Sequence, residues 1–175
     1  LLFRQRLNHF VLAQVLRRVA RAMTPFYRAI ARNRQYAVRW SEAVADTDLT
    51  KMEQLLHLVS PVAARHGIGS NGIGDFVSFA SPAPIDNYAN GVTIPPGSVQ
   101  FFFETRAHRF LARSVLPFYE KLAQDGPFAT RLARAIVRRD TAAVNRLLRP
   151  LVQTPALRSI AIEDDGVVLS FVFPF

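Results

Sequence analysis

The feature that most constrains the fold of this chain is an internal repeat. Pro25-Phe26-Tyr27 recurs as Pro117-Phe118-Tyr119, and sliding the chain by that offset aligns much of its length without a gap. Roughly 18 of about 70 aligned positions are then identical, whereas unrelated chains match at ~6%. The sequence therefore predicts two diverged copies of one unit: residues 1–80, a Pro/Gly-rich connector over 81–97, and residues 98–175.

Each copy has the pattern of about three helices followed by a β-hairpin. Asn71-Gly72 and Asp164-Asp165-Gly166 are strong hairpin turn signals, and each follows the helical part of its copy. Apolar spacing and capping residues predict helices over about 7–23 and 36–46 and after Asp48, and in the second copy over about 99–115 and 128–138 and after Asp140. The shared proline, Pro25 or Pro117, either kinks the first helix of its copy or begins a new helix.

These elements place the chain in the α+β class. One hairpin alone is barely stable in water, so we expect the two hairpins to pair as one antiparallel sheet with the helices packed on one face. The result would be one pseudo-twofold domain. The alternative is two small domains on a linker, which we favour less because each unit alone would bury little apolar surface.

Composition excludes several classes of protein. Half of the 175 residues are apolar, which is ample for a packed core, and no apolar run is long enough to span a bilayer. The absence of cysteine excludes disulfide scaffolds, thiolate zinc sites and cysteine nucleophiles. The compartment stays open, with the cytoplasm as the default expectation. The missing initial Met and the apolar end predict a fragment or a processed product.

None of the candidate catalytic, metal-binding or cofactor-binding motifs lies in the structural context that its chemistry requires. The stretch from Gly67 to Gly72 spells the dinucleotide-binding glycine pattern, but a helix precedes it and a strand follows, the reverse of what phosphate binding needs. The histidines show no paired helical spacing, and Asp164 and Asp165 fit a turn better than a cation site. We therefore expect no enzyme and no cofactor.

Arginine is the most unusual part of the composition. The formal net charge is +9, and Lys51 and Lys121 are the only lysines. Such a chain favours acidic partners, although most charge runs are solvated helix faces. Arg offers bidentate donors to phosphate, so the stripes of Arg along the predicted helices are candidate anion- or nucleic-acid-binding residues: Arg17, Arg21, Arg28, Arg32, Arg109, Arg113, Arg131, Arg134 and Arg138.

The phenylalanines are the second candidate surface. Three consecutive Phe cover three directions of a helix, and the last strand ends on Phe, so some of these rings can lie in an interface although core packing accounts for most such residues. The helical parts are basic and the hairpins acidic, which suits head-to-tail association. The candidate interface residues are Phe101, Phe102, Phe103, Phe171 and Phe173.

The leading hypothesis is a non-enzymatic structural or assembly protein that associates with itself, as a homo-oligomer, or with a protein partner. The duplication, the surplus of Phe and the opposite-signed ends favour it. The alternative is a basic nucleic-acid-binding protein that uses its Arg stripes on phosphate. An enzyme ranks third, and peripheral membrane contact through the basic, apolar first helix ranks fourth.

Overall fold

The computed structural model describes residues 7–94 and 103–173, and within these ranges the chain is α+β, as the sequence predicts. The helices are α1 (His9–Arg32), α2 (Arg34–Ala45), α3 (Leu49–Val59), α4 (Thr105–Gln124), α5 (Gly126–Val137) and α6 (Thr141–Leu148). The strands are β1 (Gly67–Ser70), β2 (Gly74–Ala80), β3 (Asn87–Thr93), β4 (Leu157–Glu163) and β5 (Gly166–Phe171). None of the described helices is long and apolar enough to cross a membrane.

The two long helices continue through a proline. Pro25 lies inside α1 and Pro117 inside α4, so of the two predicted alternatives each first helix continues through its proline, past the ends expected near residues 23 and 115. A proline removes one backbone hydrogen bond, but the apolar face continues past it: Phe26 and Ile30 of α1 are fully buried. Burial of that face outweighs the lost hydrogen bond, because tertiary packing supplies most of a helix's stability.

The four shorter helices begin at side-chain caps. Asp48 accepts a hydrogen bond from the Lys51 N–H at 3.0 Å, and Asp140 accepts one from the Ala143 N–H at 2.9 Å, which confirms both predicted caps of α3 and α6. The caps of α2 and α5 are Asn33, which accepts from Tyr36 N at 3.0 Å, and Asp125, which accepts from Phe128 N at 2.9 Å.

The first sheet has the order β1-β2-β3, with every pair antiparallel. Asn71-Gly72 turns the chain between β1 and β2, as predicted, and Gly72 takes the positive φ of 84° that such a turn requires. The third strand was not predicted, because β3 lies within the expected connector. Its Asn- and Gly-rich sequence reads as a loop, yet it pairs with β2 from Asn87 to Thr93.

The second sheet is the β4-β5 hairpin alone. A two-residue loop joins its strands, with Glu163 opposite Gly166 and with Asp164 at a φ of 47°. The expected pairing of both hairpins into one sheet is therefore not found among the described residues. The side of β2 that faces away from β1 is taken by β3.

The chain divides into two compact units that are discontinuous in sequence. We call Ala22–Ala80 with Asn87–Arg113 the central unit, and Leu1–Arg21 with Ser81–Asp86 and Ser114–Phe175 the terminal unit. Each of the long helices α1 and α4 is shared between both units. The predicted repeats, 1–80 and 98–175, are contiguous segments. The two discontinuous units do not test their boundaries, which stay a prediction.

Candidate functional site: a polar core and an open strand edge

A buried carboxyl lies in the core of the central unit. Asp75 is on β2, where it alternates with the buried Val77 and Phe79, and it is only 5% exposed. Trp40 Nε1 of α2 donates a hydrogen bond to Asp75 Oδ2 at 3.1 Å. Burial raises the pKa of Asp75 to about 7, although the Trp40 hydrogen bond acts in the opposite direction. Near neutral pH this carboxyl is therefore partly protonated.

Two tyrosines extend this polar core. The Tyr36 hydroxyl donates to the Leu55 carbonyl oxygen at 2.8 Å, and the Tyr27 hydroxyl accepts from Asn90 Nδ2 at the same distance. Burial raises the pKa of Tyr36 far above its usual range, opposed by the charge of Arg39. These contacts satisfy buried polar groups, which is the requirement for a stable polar core.

His108 is the exception in the central unit. Its side chain is 2% exposed, and neither ring nitrogen has a hydrogen-bond partner among the described residues. The ring centre lies 4.8 Å from that of Phe103 and 6.2 Å from that of Phe26. Burial lowers the pKa of His108 to about 3, so the ring is neutral throughout the physiological range.

Sequence reasoning missed this polar core. The signal for Asp75 was present, because Asp75, Val77 and Phe79 have the two-residue period of an inward-facing strand. His108 also lies on the apolar face of α4, four residues before the buried Ala112 and seven before the buried Val115, so helical periodicity marks its position as well.

Arg109, a candidate anion-binding residue, is used inside the central unit. Its Nε donates to the Ile30 carbonyl at 3.2 Å and its Nη2 to the Ala31 carbonyl at 3.1 Å. These oxygens belong to the last turn of α1, where the carbonyl groups have no N–H partner within the helix. The negative end of the helix dipole lies at the same place. Arg109 therefore caps α1 with two charge-assisted hydrogen bonds.

In the terminal unit, Arg17 and Arg21 approach the loop between α4 and α5. Arg21 Nε donates to the Ala123 carbonyl at 3.3 Å. Arg17 lies against Gly126, where a Cβ atom would be 3.3 Å from Nη1, and its buried Nε has no partner among the described residues. Both arginines are thus engaged with the fold rather than fully solvated.

The other candidate arginines are placed differently. Arg28 is half-buried, and Arg32 and Arg113 are exposed. Three more lie along α5 and its C-terminal end at positions that share one face of the helix, and all of them are exposed: Arg131, Arg134 and Arg138.

The candidate interface phenylalanines divide into three groups. Phe101 and Phe102 lie outside the described residues. Phe103 is 8% exposed and packs against His108, so it belongs to the core of the central unit. Phe171 and Phe173 are half-buried, and their rings stack with centres 5.9 Å apart and planes 6° apart.

The acidic turn of the second hairpin is contacted by an arginine of the same chain. The Arg139 guanidinium donates to the Asp164 carbonyl oxygen. Arg139 and Asp165 also line a shallow cavity of about 350 Å³ together with Leu7 and Val137. Within residues 7–94 and 103–173, no group of three His, Asp or Glu residues is arranged to hold a metal ion.

β5 offers one strand edge that is unpaired among the described residues. Among the described residues β5 pairs only with β4, and Val168 and Val172 are 39% and 55% exposed. No charged residue occurs from Gly166 to Phe173. An uncharged, apolar edge strand with unpaired backbone groups is a template for another strand.

Compared with family models, with curated proteins and with solved structures, the chain finds no match.

Proposed function

We propose that this protein is a non-enzymatic structural or assembly protein that acts by self-association or by binding a protein partner. The observation that carries the proposal is the edge of β5, which is apolar, uncharged and unpaired among the described residues. Native proteins usually protect such edges with charge, proline, a bulge or a covering element. A second chain that added a strand there would satisfy the backbone groups and bury the apolar side chains.

We also propose that the chain arose by internal duplication. Under the offset that places Pro25 on Pro117, the bounds of α2 coincide with those of α5, and cap Asp48 falls on cap Asp140. The residues with positive φ before these caps correspond as well, at 52° for Thr47 and 56° for Arg139. Duplicated units commonly serve proteins that associate through repeated surfaces.

Molar mass tests the proposal. Light scattering after size-exclusion chromatography, at low and high salt, should give a stable multiple of the 19.6 kDa chain in both buffers, because an edge strand associates by hydrogen bonds and apolar burial rather than by charge. A protein that stays at one chain mass at every concentration would contradict self-association.

The second candidate function is nucleic-acid binding through α5. The three exposed arginines Arg131, Arg134 and Arg138 on one face of that helix support it. Affinity for a duplex should then fall steeply with salt, and the triple change to Glu should abolish binding. Retention of binding by the triple Glu variant would remove this candidate. The Arg109→Glu variant is unsuitable as a probe, because Arg109 caps α1.

A further inference from the structure

We infer that the two copies exchange the first halves of their long helices, so that each compact unit is completed by a half-helix of the other copy. The first halves are residues 9–21 of α1 and 105–113 of α4, and the second halves are residues 22–32 and 114–124. The partner that each copy recognises is thus a second copy of the same unit. This exchange rests on the proposed duplication and is independent of association between whole chains.

The first half of α4 completes the central unit. Arg109 donates to the carbonyl oxygens of Ile30 and Ala31 at 3.2 and 3.1 Å, and so caps the second half of α1. The buried ring of His108 has its centre 6.2 Å from that of Phe26, which is fully buried. The cap and the core of this unit therefore combine residues of the first copy with a half-helix of the second.

The first half of α1 has the same role in the terminal unit. Arg21 Nε donates to the Ala123 carbonyl oxygen, in the last turns of α4, at 3.3 Å. Arg17 lies against Gly126, the first residue of α5, where a Cβ atom would be 3.3 Å from Nη1. Two arginines of the first copy thus hold the end of the long helix of the second copy.

The two sets of contacts correspond under the Pro25–Pro117 offset. The offset places Ala31 on Ala123, so the same carbonyl of the long helix accepts a hydrogen bond from an arginine in both units. The donor Arg109 corresponds to Arg17, which is one helical turn from the donor Arg21. Each long helix is therefore capped by a basic half-helix of the other copy.

The units divide the two long helices at the same place. The central unit takes α1 from Ala22 onward and α4 as far as Arg113, and the offset places Arg21, the last residue before that point in α1, on Arg113. A contiguous copy thus gives its first half-helix to the other unit and receives the equivalent half-helix in return. Exchange of an identical element between two similar units is domain swapping, which occurs here within one chain.

Hydrogen exchange in the intact chain tests the unit to which each half-helix belongs. Trp40→Leu should destabilise the central unit, because Trp40 is 1% exposed and donates to Asp75 within it. Amide exchange should then rise about tenfold more over 105–113 than over 114–124, and about tenfold more over 22–32 than over 9–21. The substitution is in the first copy, yet half of its effect on the long helices is expected in the second copy.

The matched change in the terminal unit is Leu132→Ala, because Leu132 corresponds to Trp40 and is fully buried. It should give the opposite pattern, with faster exchange over 9–21 and 114–124. If Trp40→Leu does not fold, this milder variant carries the test alone. Exchange that rises throughout one long helix and not in the other, or equally in both halves of each, would overturn the inference, because neither half-helix would then follow the unit that it completes.

Cleavage between the copies tests whether the exchanged half-helices hold them together. A protease recognition sequence inserted after Gly97, between β3 and α4, allows the folded chain to be cut. The cut protein should keep the molar mass and the circular dichroism of the uncut protein in the same buffer, and its fragments should separate only in denaturant. Two folded fragments, each with the mass of one copy, would overturn the exchange.

These outcomes are distinct from those of the proposed self-association. An uncut protein that stays at one chain mass would remove self-association, and the exchange would stand if the cut fragments remain together. Fragments that separate after the cut would overturn the exchange, while the molar mass of the uncut protein still decides self-association.

Discussion

The central and terminal units carry different side chains at corresponding positions. Under the Pro25–Pro117 offset, Trp40 corresponds to the buried Leu132 and Asp75 to the half-buried Val167, so a hydrogen-bonded pair in the central unit stands where the terminal unit has aliphatic side chains. Conversely, His108 of the central unit corresponds to the buried Leu16 of the terminal unit. The same backbone elements therefore accept either a polar or an apolar core.

The difference shows which polar substitutions a core tolerates. Asp75 has Trp40 as a donor, so its burial cost is partly offset. His108 has no partner among the described residues and stands with two unsatisfied nitrogens where the terminal unit has a leucine. The central unit thus combines a compensated polar pair with an uncompensated ring, whereas Leu16 and Leu132 give the terminal unit aliphatic packing.

The largest effect is expected from breaking the Trp40–Asp75 pair. Trp40→Leu, which installs the residue of the terminal unit, leaves a cavity and an unpartnered carboxyl and should cost about 3–5 kcal/mol of unfolding free energy. Adding Asp75→Val should recover more than ~1 kcal/mol, because no orphaned carboxyl then remains. Denaturant unfolding of the two single variants and the double variant measures the coupling. Strictly additive losses would mean that the hydrogen bond contributes nothing.

A smaller loss is expected at the cap of α1. Arg109→Gln removes two charge-assisted hydrogen bonds to the Ile30 and Ala31 carbonyls and should cost about 2 kcal/mol. The matched control is Arg113→Gln, one turn later on α4 and exposed, which should change stability by less than ~0.5 kcal/mol. Thermal melts of both variants test this, and equal shifts would show that Arg109 is not a structural cap.

The pH dependence of stability separates Asp75 from His108. The folded pKa of Asp75 is raised, so its stabilising contribution is complete below about pH 4 and is lost as the pH rises to about 7. The folded pKa of His108 is lowered to about 3, so its neutral form favours folding increasingly as the pH rises from about 3 to 6.5. Between about pH 4 and 6.5 the two slopes oppose each other.

A variant that removes one of the two groups should show the pH dependence of stability that the other group causes. Asp75→Asn should become more stable by about 1 kcal/mol per pH unit as the pH rises from about 4 to 6.5, and His108→Leu should become less stable by a similar amount. Unfolding in denaturant at half-unit pH steps measures both. If the two variants had the same slope as the wild type, neither group would titrate in this range. His108→Leu should also raise stability at pH 7, since the leucine needs no hydrogen-bond partner.

The smallest effects are expected at two N-caps that have the same residue and the same geometry in both halves of the chain. Asp48→Ala and Asp140→Ala remove N-caps of the same geometry, and each should cost about 1 kcal/mol. Equal losses in chemical denaturation would extend the correspondence of the units to energetics. A difference above the error of that measurement would show that α3 and α6 contribute unequally despite their matching caps.

Local signals predicted the elements that depend on a few adjacent residues. The caps at Asp48 and Asp140 and the turns at Asn71-Gly72 and Asp164-Asp165 are as predicted, because a cap or a tight turn is decided within about four residues. The sequence left open whether Pro25 and Pro117 kink a helix or begin a new one, since the burial of residues beyond each proline depends on distant elements.

Strand β3 and the polar core were missed for a related reason. Asn87-Tyr88-Ala89-Asn90-Gly91 has the composition of a loop, and it becomes a strand because β2 offers an edge to pair with. The capping function of Arg109 needs the end of α1 to lie beside α4, and sequence spacing alone shows only a charged stripe.

The sequence by itself determined the α+β class, the two hairpins, the caps of α3 and α6 and the offset that aligns the two halves, because each depends on local periodicity, turn chemistry or repeated residues. The tertiary structure alone decided that the hairpins belong to separate sheets, that Asp75 meets Trp40, that Arg109 caps α1 and that β5 keeps an open edge among the described residues. Those features join residues far apart in the chain, and only the packed fold brings such residues within hydrogen-bonding distance.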